Sequence, residues 1–276
     1  NLENLLATAL EQQFSSLGCH KLWNNTMLHT LNIQHYARQD LPVFITGDIG
    51  TGKSSIAHML HSLSPRKHRP FFTVLSRDCS PSKVLEWEIF GIEKTDHTPL
   101  NDHQPGKLEL ANGGTLVFDN LEELPIYLQE KVLHCINNQS FQRTYTKKAT
   151  DLNVRVIGTS RKDPQELLNC QILHPQLYDK LHQLHIHLPP LASRKDRIEE
   201  LAHTLLSTIS KQMHKTILGF SPDFQDFLRS YAWPGNLREL HNILERAVIL
   251  EESKWIQMTS LFFPEMKPMK FHNAFM

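Results

Sequence analysis

Four short runs of apolar, β-branched and aromatic residues mark the first two thirds of the chain: PVFIT at 42–46, FFTVL at 71–75, TLVF at 115–118 and VRVI at 154–157. A fifth, LHIHL at 184–188, alternates apolar and polar positions. Between these runs apolar residues recur at helical spacing, first Ile56, Leu60 and Leu63, later Leu128, Val132, Leu133 and Ile136. Strands alternating with helices predict an α/β domain, a mostly parallel sheet covered on both faces. Two prolines at 189–190 end the pattern. From Arg197 onward the text is helical, through Ile198, Leu201 and Leu205, then Phe224 and Leu228, then the stretch 237–250, which predicts a separate helical subdomain. The opening 35 or so residues read as a helical lead-in. Residues 266–276 show no period and read as a tail or linker. Leu31, Phe44, Phe118 and the Trp233 region are expected in the core.

Composition adds limits. The 276 residues suffice for one large domain, or a core with an appendage. Basic and acidic residues balance at 29 each, so bulk charge makes no case for nucleic acid or an anionic membrane. The four cysteines (Cys19, Cys79, Cys135, Cys170) form no CxxC pair, which suggests a reduced, cytoplasmic setting. No apolar run approaches the roughly 20 residues of a membrane span. The chain opens on Asn rather than Met, from which a fragment of a longer protein is expected.

The stretch GDIGTGKSS at 47–55 carries the first chemistry. Gly47, Gly52, Lys53 and Ser54 fit the spacing G-x4-G-K-[ST], with an apolar strand before and a helical pattern after. Glycines let backbone N–H groups turn toward phosphate oxygens, and a helix N-terminus adds its partial positive charge. The cradle comprises Gly47, Asp48, Ile49, Gly50, Thr51, Gly52, Lys53, Ser54 and Ser55; Lys53 would reach the outer phosphates and Ser54 would ligate Mg²⁺. The plain alternative is a glycine turn beside a surface lysine. Asp119, at the end of the run 115–118, is placed to hold the metal's water shell, the alternative being a helix N-cap. The residue after it is Asn120, where a nucleotide hydrolase of this kind ends its strand in Asp-Glu.

The segment GKLELANGGTLVFD at 106–119 resembles the stretch through the Walker B strand of bacterial enhancer-binding proteins, the NtrC group of AAA+ ATPases that remodel sigma-54 RNA polymerase. EIFGIEK at 88–94, VRVI at 154–157, LPPL at 188–191, WPGNLREL at 233–240 and ERAVIL at 245–250 agree in order and spacing. The resemblance covers roughly residues 17–264 and implies a lead-in over 1–16, an AAA+ P-loop core over 17–191, a helical lid over 192–264 and a tail over 265–276. It implies ATP or ADP with Mg as ligand, a DNA-binding unit outside this chain, contact with RNA polymerase, and self-association as a ring or dimer. It places Arg238 at the sensor II position of the lid.

The departures from the family cluster in its working parts. The six places of the sigma-54-contacting loop read TDHTPL at 95–100, without the family's glycines and aromatic tip, which puts direct sigma-54 engagement in doubt. Asn120 can orient a water but is no base, and losing a general base removes ~10² to 10⁴ in rate. The two intersubunit arginine places hold His174 and Lys180, and loss of such a finger costs ~10³ to 10⁵. Lys180 keeps charge but not the planar fork. At the sensor I place stand Ser160 and Arg161. The expectation is a transcription regulator that binds ATP and hydrolyses it poorly. Three alternatives stay open: an active ring-forming ATPase; a sensor of cyclic di-GMP, for which the region QFSSL at 13–17 lacks an arginine; and a partner protein without nucleotide. The seventeen histidines include two same-face pairs, His58/His61 and His185/His187, neither with a third ligand at metal spacing, so both read as partly exposed surface. Arg66 to Arg69 reads as a solvated basic loop.

Overall fold

The computed structural model describes residues 32–76, 82–94, 103–146 and 148–261. The sequence expectations for Leu31, for 13–17, for 95–100 and for the tail fall outside these residues, as does most of the lead-in. The chain forms two compact units, residues 1–189 and 190–276.

The first unit begins with α1 (Ile33–Arg38), β1 (Val43–Gly47), α2 (Lys53–Ser62), β2 (Phe71–Leu75), α3 (Ser82–Phe90), β3 (Gly91–Ile92), β4 (Gln104–Pro105), α4 (Lys107–Leu110) and β5 (Thr115–Asp119). A 3₁₀ turn (Leu121–Glu123) leads to α5 (Ile126–Asn138), β6 (Ser140–Gln142), β7 (Ala149–Asp151), β8 (Arg155–Ser160), α6 (Pro164–Asn169), α7 (Pro175–Leu181) and β9 (His185–Leu188). Five strands form one sheet in the order β2-β5-β8-β1-β9, every pair parallel. All five expected strands are there. β1 and β8 are buried along their whole length, as strands covered on both faces must be. Phe44 and Phe118 are fully buried in the core.

Two short antiparallel hairpins, β3–β4 and β6–β7, went unread in the sequence, being too short to show a period. They lean on each other through Thr144, whose N–H donates to Gly91 O at 3.0 Å. Arg143 binds Glu93 and Glu109 across them. Gly91, at φ 78°, and Gly106 pack backbone to backbone: a Cβ on Gly91 would lie 2.6 Å from the Gly106 nitrogen.

The base of the sheet is tied by buried arginine. Arg155 is 2% exposed and donates to the carbonyls of Tyr36, Ala37 and Leu41, closing the C-terminal end of α1. Burial lowers its pKa to about 10, so it stays charged at neutral pH. Of the basic run 66–69, residues 67–69 are exposed as expected, whereas Arg66 corrects the reading: it is half-buried in a hydrogen-bond network. Its guanidinium pairs with Asp40 and donates to Gly114 O, Asn153 O and Asn153 Oδ1.

The second unit holds a 3₁₀ segment (Leu191–Arg197), α8 (Ile198–Gln212), β10 (Gly219–Phe220), α9 (Pro222–Ser230), α10 (Asn236–Leu250) and β11 (Trp255–Ile256). Ile198, Leu201, Leu205, Phe224, Leu228, Leu240 and Leu244 are buried, confirming the helical periods. Trp233 is 1% exposed and donates its indole N–H to Leu228 O. Glu239 holds the start of α10 by accepting from Gly235 N and from the Tyr231 hydroxyl.

His61 also differs from expectation. It is 6% exposed, bonds Thr115 Oγ1 at 2.9 Å and lies against Phe71. Burial, then the neighbouring His58, lowers its pKa to about 4. The unfolded chain therefore binds a proton at this site between about pH 6.5 and 4 that the folded chain refuses. Stability is complete above the unfolded value and falls as pH drops through that window, by up to about 3 kcal/mol from this site. In His61→Gln, urea unfolding followed from pH 7 to pH 4.5 is expected to show a shallower loss of stability than in the parent chain.

Candidate functional site

The parallel order brings the C-terminal ends of β1, β8 and β5 side by side. The register pairs Thr46 with Ser160 and Phe118 with Gly158, so the loop after β1 and the turn after β5 flank the end of β8. In open parallel sheets this edge is where ligands bind.

The loop from Gly47 to Gly52 takes the conformation its glycines permit. Gly47, Gly50 and Gly52 have φ of 150°, 75° and 99°. A Cβ on Gly47 would lie 2.5 Å from Leu188 O. Thr51 Oγ1 closes the turn by donating to Asp48 O at 2.8 Å. Gly52 is the N-cap of α2 and provides no side-chain cap, which leaves the first-turn amides to an anion. Lys53 is 7% exposed, and its ammonium turns back to Gly47 O at 2.6 Å and Asp48 O at 2.9 Å, inside the curl of the loop. Asp48, Ile49 and Ser54 are exposed, Gly50 and Ser55 half-buried. These residues fit a nucleotide's phosphate chain, with a buried cation and uncapped helix amides converging on a curl that a side chain at 47 would obstruct.

Across β8, Asp119 is half-buried and accepts from the Thr159 hydroxyl at 2.7 Å. Asn120 sits at φ 55° and is 3% exposed. Its N–H donates to Thr159 Oγ1 at 3.0 Å, its Nδ2 to Asp119 Oδ2 at 3.2 Å, and its Oδ1 accepts from Arg161 Nε at 2.9 Å. Arg161 also binds Glu123, and its backbone N–H donates to Glu122 Oε1. Sequence reasoning did not list Thr159, Glu122 or Glu123. The glutamates were visible directly after Asp119 and Asn120; Thr159 had no signal apart from its strand register. On the other flank, Thr46 Oγ1 bonds His185 Nε2 at 2.8 Å and His187 Nδ1 at 3.1 Å. That pair thus meets in a polar bridge between β1 and β9. Burial, then His182 and His187, lowers the pKa of His185.

The remaining expected residues are carried by other elements. His174 is the N-cap residue of α7, its N–H donating to Gln129 Oε1. Lys180, in the last turn of α7, lines a cavity of about 230 Å³ with Arg66, Arg155 and Asp40. Arg238 is exposed in the first turn of α10 in the second unit.

Sheet order, glycine cradle and the Asp119 carboxylate define a P-loop α/β domain followed by a helical unit. The chain belongs to the sigma-54 interaction domain family, whose model matches residues 23–187, and the AAA+ ATPase lid domain model matches 192–272. This is the family of sigma-54-dependent transcriptional activators. The regulatory protein LuxO of Vibrio parahaemolyticus is 34% identical over 239 residues, 86% of this chain and 52% of LuxO. Crystal structures of NtrX from Brucella abortus agree in fold. The complex with ADP has TM-score 0.77 and 28% identity, covering 86% of this chain and 53% of NtrX. The complex with ATP has TM-score 0.76 and 27% identity, covering 95% and 61%. The chain spans about half the length of the curated relatives it matches. Among the described residues no helix is long and apolar enough to cross a membrane.

Gly47→Ala tests the cradle. A methyl at that φ and that distance from Leu188 O is expected to cost about 2 kcal/mol, read as a lower urea midpoint, and to open the β1–β9 edge.

Proposed function

We propose that this chain is the nucleotide-holding core of a cytoplasmic transcription regulator, which binds ATP or ADP with Mg²⁺, hydrolyses ATP poorly, and does not itself remodel sigma-54 polymerase. One observation carries the reading. At the end of β5, beside the carboxylate that would serve the metal, stands a buried amide with its oxygen already engaged by Arg161. An amide cannot take a proton from water.

The holding parts have clear roles. The amides of the loop and of the first turn of α2 would cradle the phosphates, and Lys53 would exchange its two carbonyl partners for phosphate oxygens. Ser54 and Asp119 would hold Mg²⁺ brought with the nucleotide, and Arg238 would approach the terminal phosphate from the lid. Bound Mg²⁺ supplies charge neutralisation on the phosphates. His174 and Lys180 stand where relatives would supply a neighbour's arginines, and neither offers a planar fork. The division into a core over 17–191 and a lid over 192–264, with flanking segments 1–16 and 265–276, is part of this reading. So are DNA binding through a domain beyond this chain, contact with RNA polymerase, and self-association. NtrX, similar in fold, has been crystallised with both ADP and ATP, which supports nucleotide binding here.

Calorimetric titration with MgATP, paired with phosphate release at high protein concentration, tests the reading, with Lys53→Ala as control. Binding is expected in the parent chain and its loss, by about tenfold or more, in the variant, since a charge-assisted contact is removed. Turnover is expected in neither. Steady turnover that the variant abolishes would overturn the reading in favour of an active ring-forming ATPase. Cyclic di-GMP in the same titration decides the remaining ligand: competition with ATP would assign the site to a cyclic dinucleotide.

A further inference from the structure

The side chain that engages Asn120 is itself built into the site. Arg161 leaves β8 one residue after Ser160 and turns back over the 3₁₀ turn, where Nε–H donates to Asn120 Oδ1 at 2.9 Å and Nη2 binds Glu123. Its backbone N–H donates to Glu122 Oε1 at 2.9 Å, and Nε lies 3.9 Å from the same oxygen. The Glu122 side chain is 7% exposed, and its second oxygen is buried without a hydrogen-bond partner. Arg161 thus sits against one amide and two carboxylates, with Asp119 on the far side of the amide.

This setting dictates how the Asn120 amide points. The guanidinium can only donate and the Asp119 carboxylate can only accept, so oxygen faces Arg161 and nitrogen faces Asp119. A donor, not an acceptor, is presented toward the metal-binding carboxylate. A carboxylate at 120 would meet the same guanidinium in a poorly solvated place, where a charge-assisted pair is strong and fixes the carboxylate against Arg161. Without Arg161, a carboxylate at 120 would lose that donor and stand among the like charges of Asp119, Glu122 and Glu123, which repel it.

We propose that Arg161 is a positioning residue that locks whatever polar side chain stands at 120, so that the quiet state of the site belongs to the pair Asn120–Arg161 and is not undone by restoring glutamate at 120 alone. This rests on the nucleotide-holding reading above. It makes position 161 the determinant of whether a restored base can act.

The test is a cycle of four chains: parent, Asn120→Glu, Arg161→Asn, and the double variant. Each is followed by thermal unfolding without nucleotide, by MgATP calorimetry and by phosphate release against pH. Asn120→Glu is expected to raise Tm by about 2–4 °C when Arg161 is present and to lower it when Arg161 is replaced. Phosphate release should stay at the parent level in Asn120→Glu and rise by at least about tenfold in the double variant. Should Arg161→Asn fail to fold, Arg161→Lys, which keeps charge but has no Nε–H, replaces it with the same signs and smaller size. Equal Tm changes in both backgrounds, or turnover in Asn120→Glu matching the double variant, would overturn the proposal. A double variant that binds ATP and stays inert would also overturn it while leaving nucleotide holding intact. If none of the four binds ATP, the holding reading falls, and the Tm cycle still decides the lock.

Discussion

The pairing of β8 with β1 on one side and β5 on the other is the contact on which the arrangement of the first unit depends. Parallel strands place all their C-terminal ends on one edge, and a central strand buried on both faces allows no slip in register without exposing apolar side chains. The register Thr46↔Ser160 and Phe118↔Gly158 then fixes the loop after β1 and the turn after β5 at either side of the same strand end. Gly158 is part of this fit, since a Cβ there would press on Leu181 and Phe44 at 3.0 and 3.2 Å. At the opposite edge, Arg155 at the start of β8 and Arg66 after α2 bind carbonyls of α1 and of the turns at 114 and 153. The strand that carries Thr159 to the site is therefore anchored at its other end by a charge that burial makes costly to leave unpaired.

Two charge patterns meet at the working edge. Around the loop, a buried ammonium has backbone carbonyls as partners, an arrangement that a phosphate, with more charge to offer, can replace. Around the turn after β5, Asp119, Glu122 and Glu123 gather with Arg161. A divalent cation arriving with a nucleotide would offset the excess negative charge there. The two halves are complementary for binding without either requiring a base, which is why cradle and carboxylate can persist while the residue beside Asp119 is an amide.

The large elements were legible in the sequence because their signals are long and physical: five apolar runs became the five parallel strands, and the G-x4-G-K-[ST] spacing became a loop of positive-φ glycines at a helix start. The hairpins at 91–105 and 140–151 were not legible, because two or three residues of strand carry no period, and the first is joined by Arg143 and Thr144 of the second, far away in sequence. The histidines misled for a related reason. His61 looks polar and exposed on a helical wheel, yet Thr115, 54 residues away, provides the hydrogen bond that permits burial. In the site, the expected residues split. Gly47 through Ser55 with Asp119 and Asn120 gather at one edge, whereas Arg238, His174 and Lys180 belong to elements whose sequence says nothing of their mutual distance.

Arg161 shows what a single departure from a family pattern does and does not reveal. In sequence it registers as an unusual residue at the end of a strand, and Asn120 as an unusual residue at the end of another, separated by 41 positions. Each alone suggests the loss of a function. Brought together by the β5–β8 register, they satisfy one another, while Glu123 binds the guanidinium and Glu122 accepts from the Arg161 backbone N–H. An amide left behind by simple decay would be expected to stay mismatched, since an unmatched buried polar group costs about 1–3 kcal/mol, as the second oxygen of Glu122 here does. Here the amide is matched on both of its faces. The match argues that the residues at 120 and 161 are built into the site as a unit.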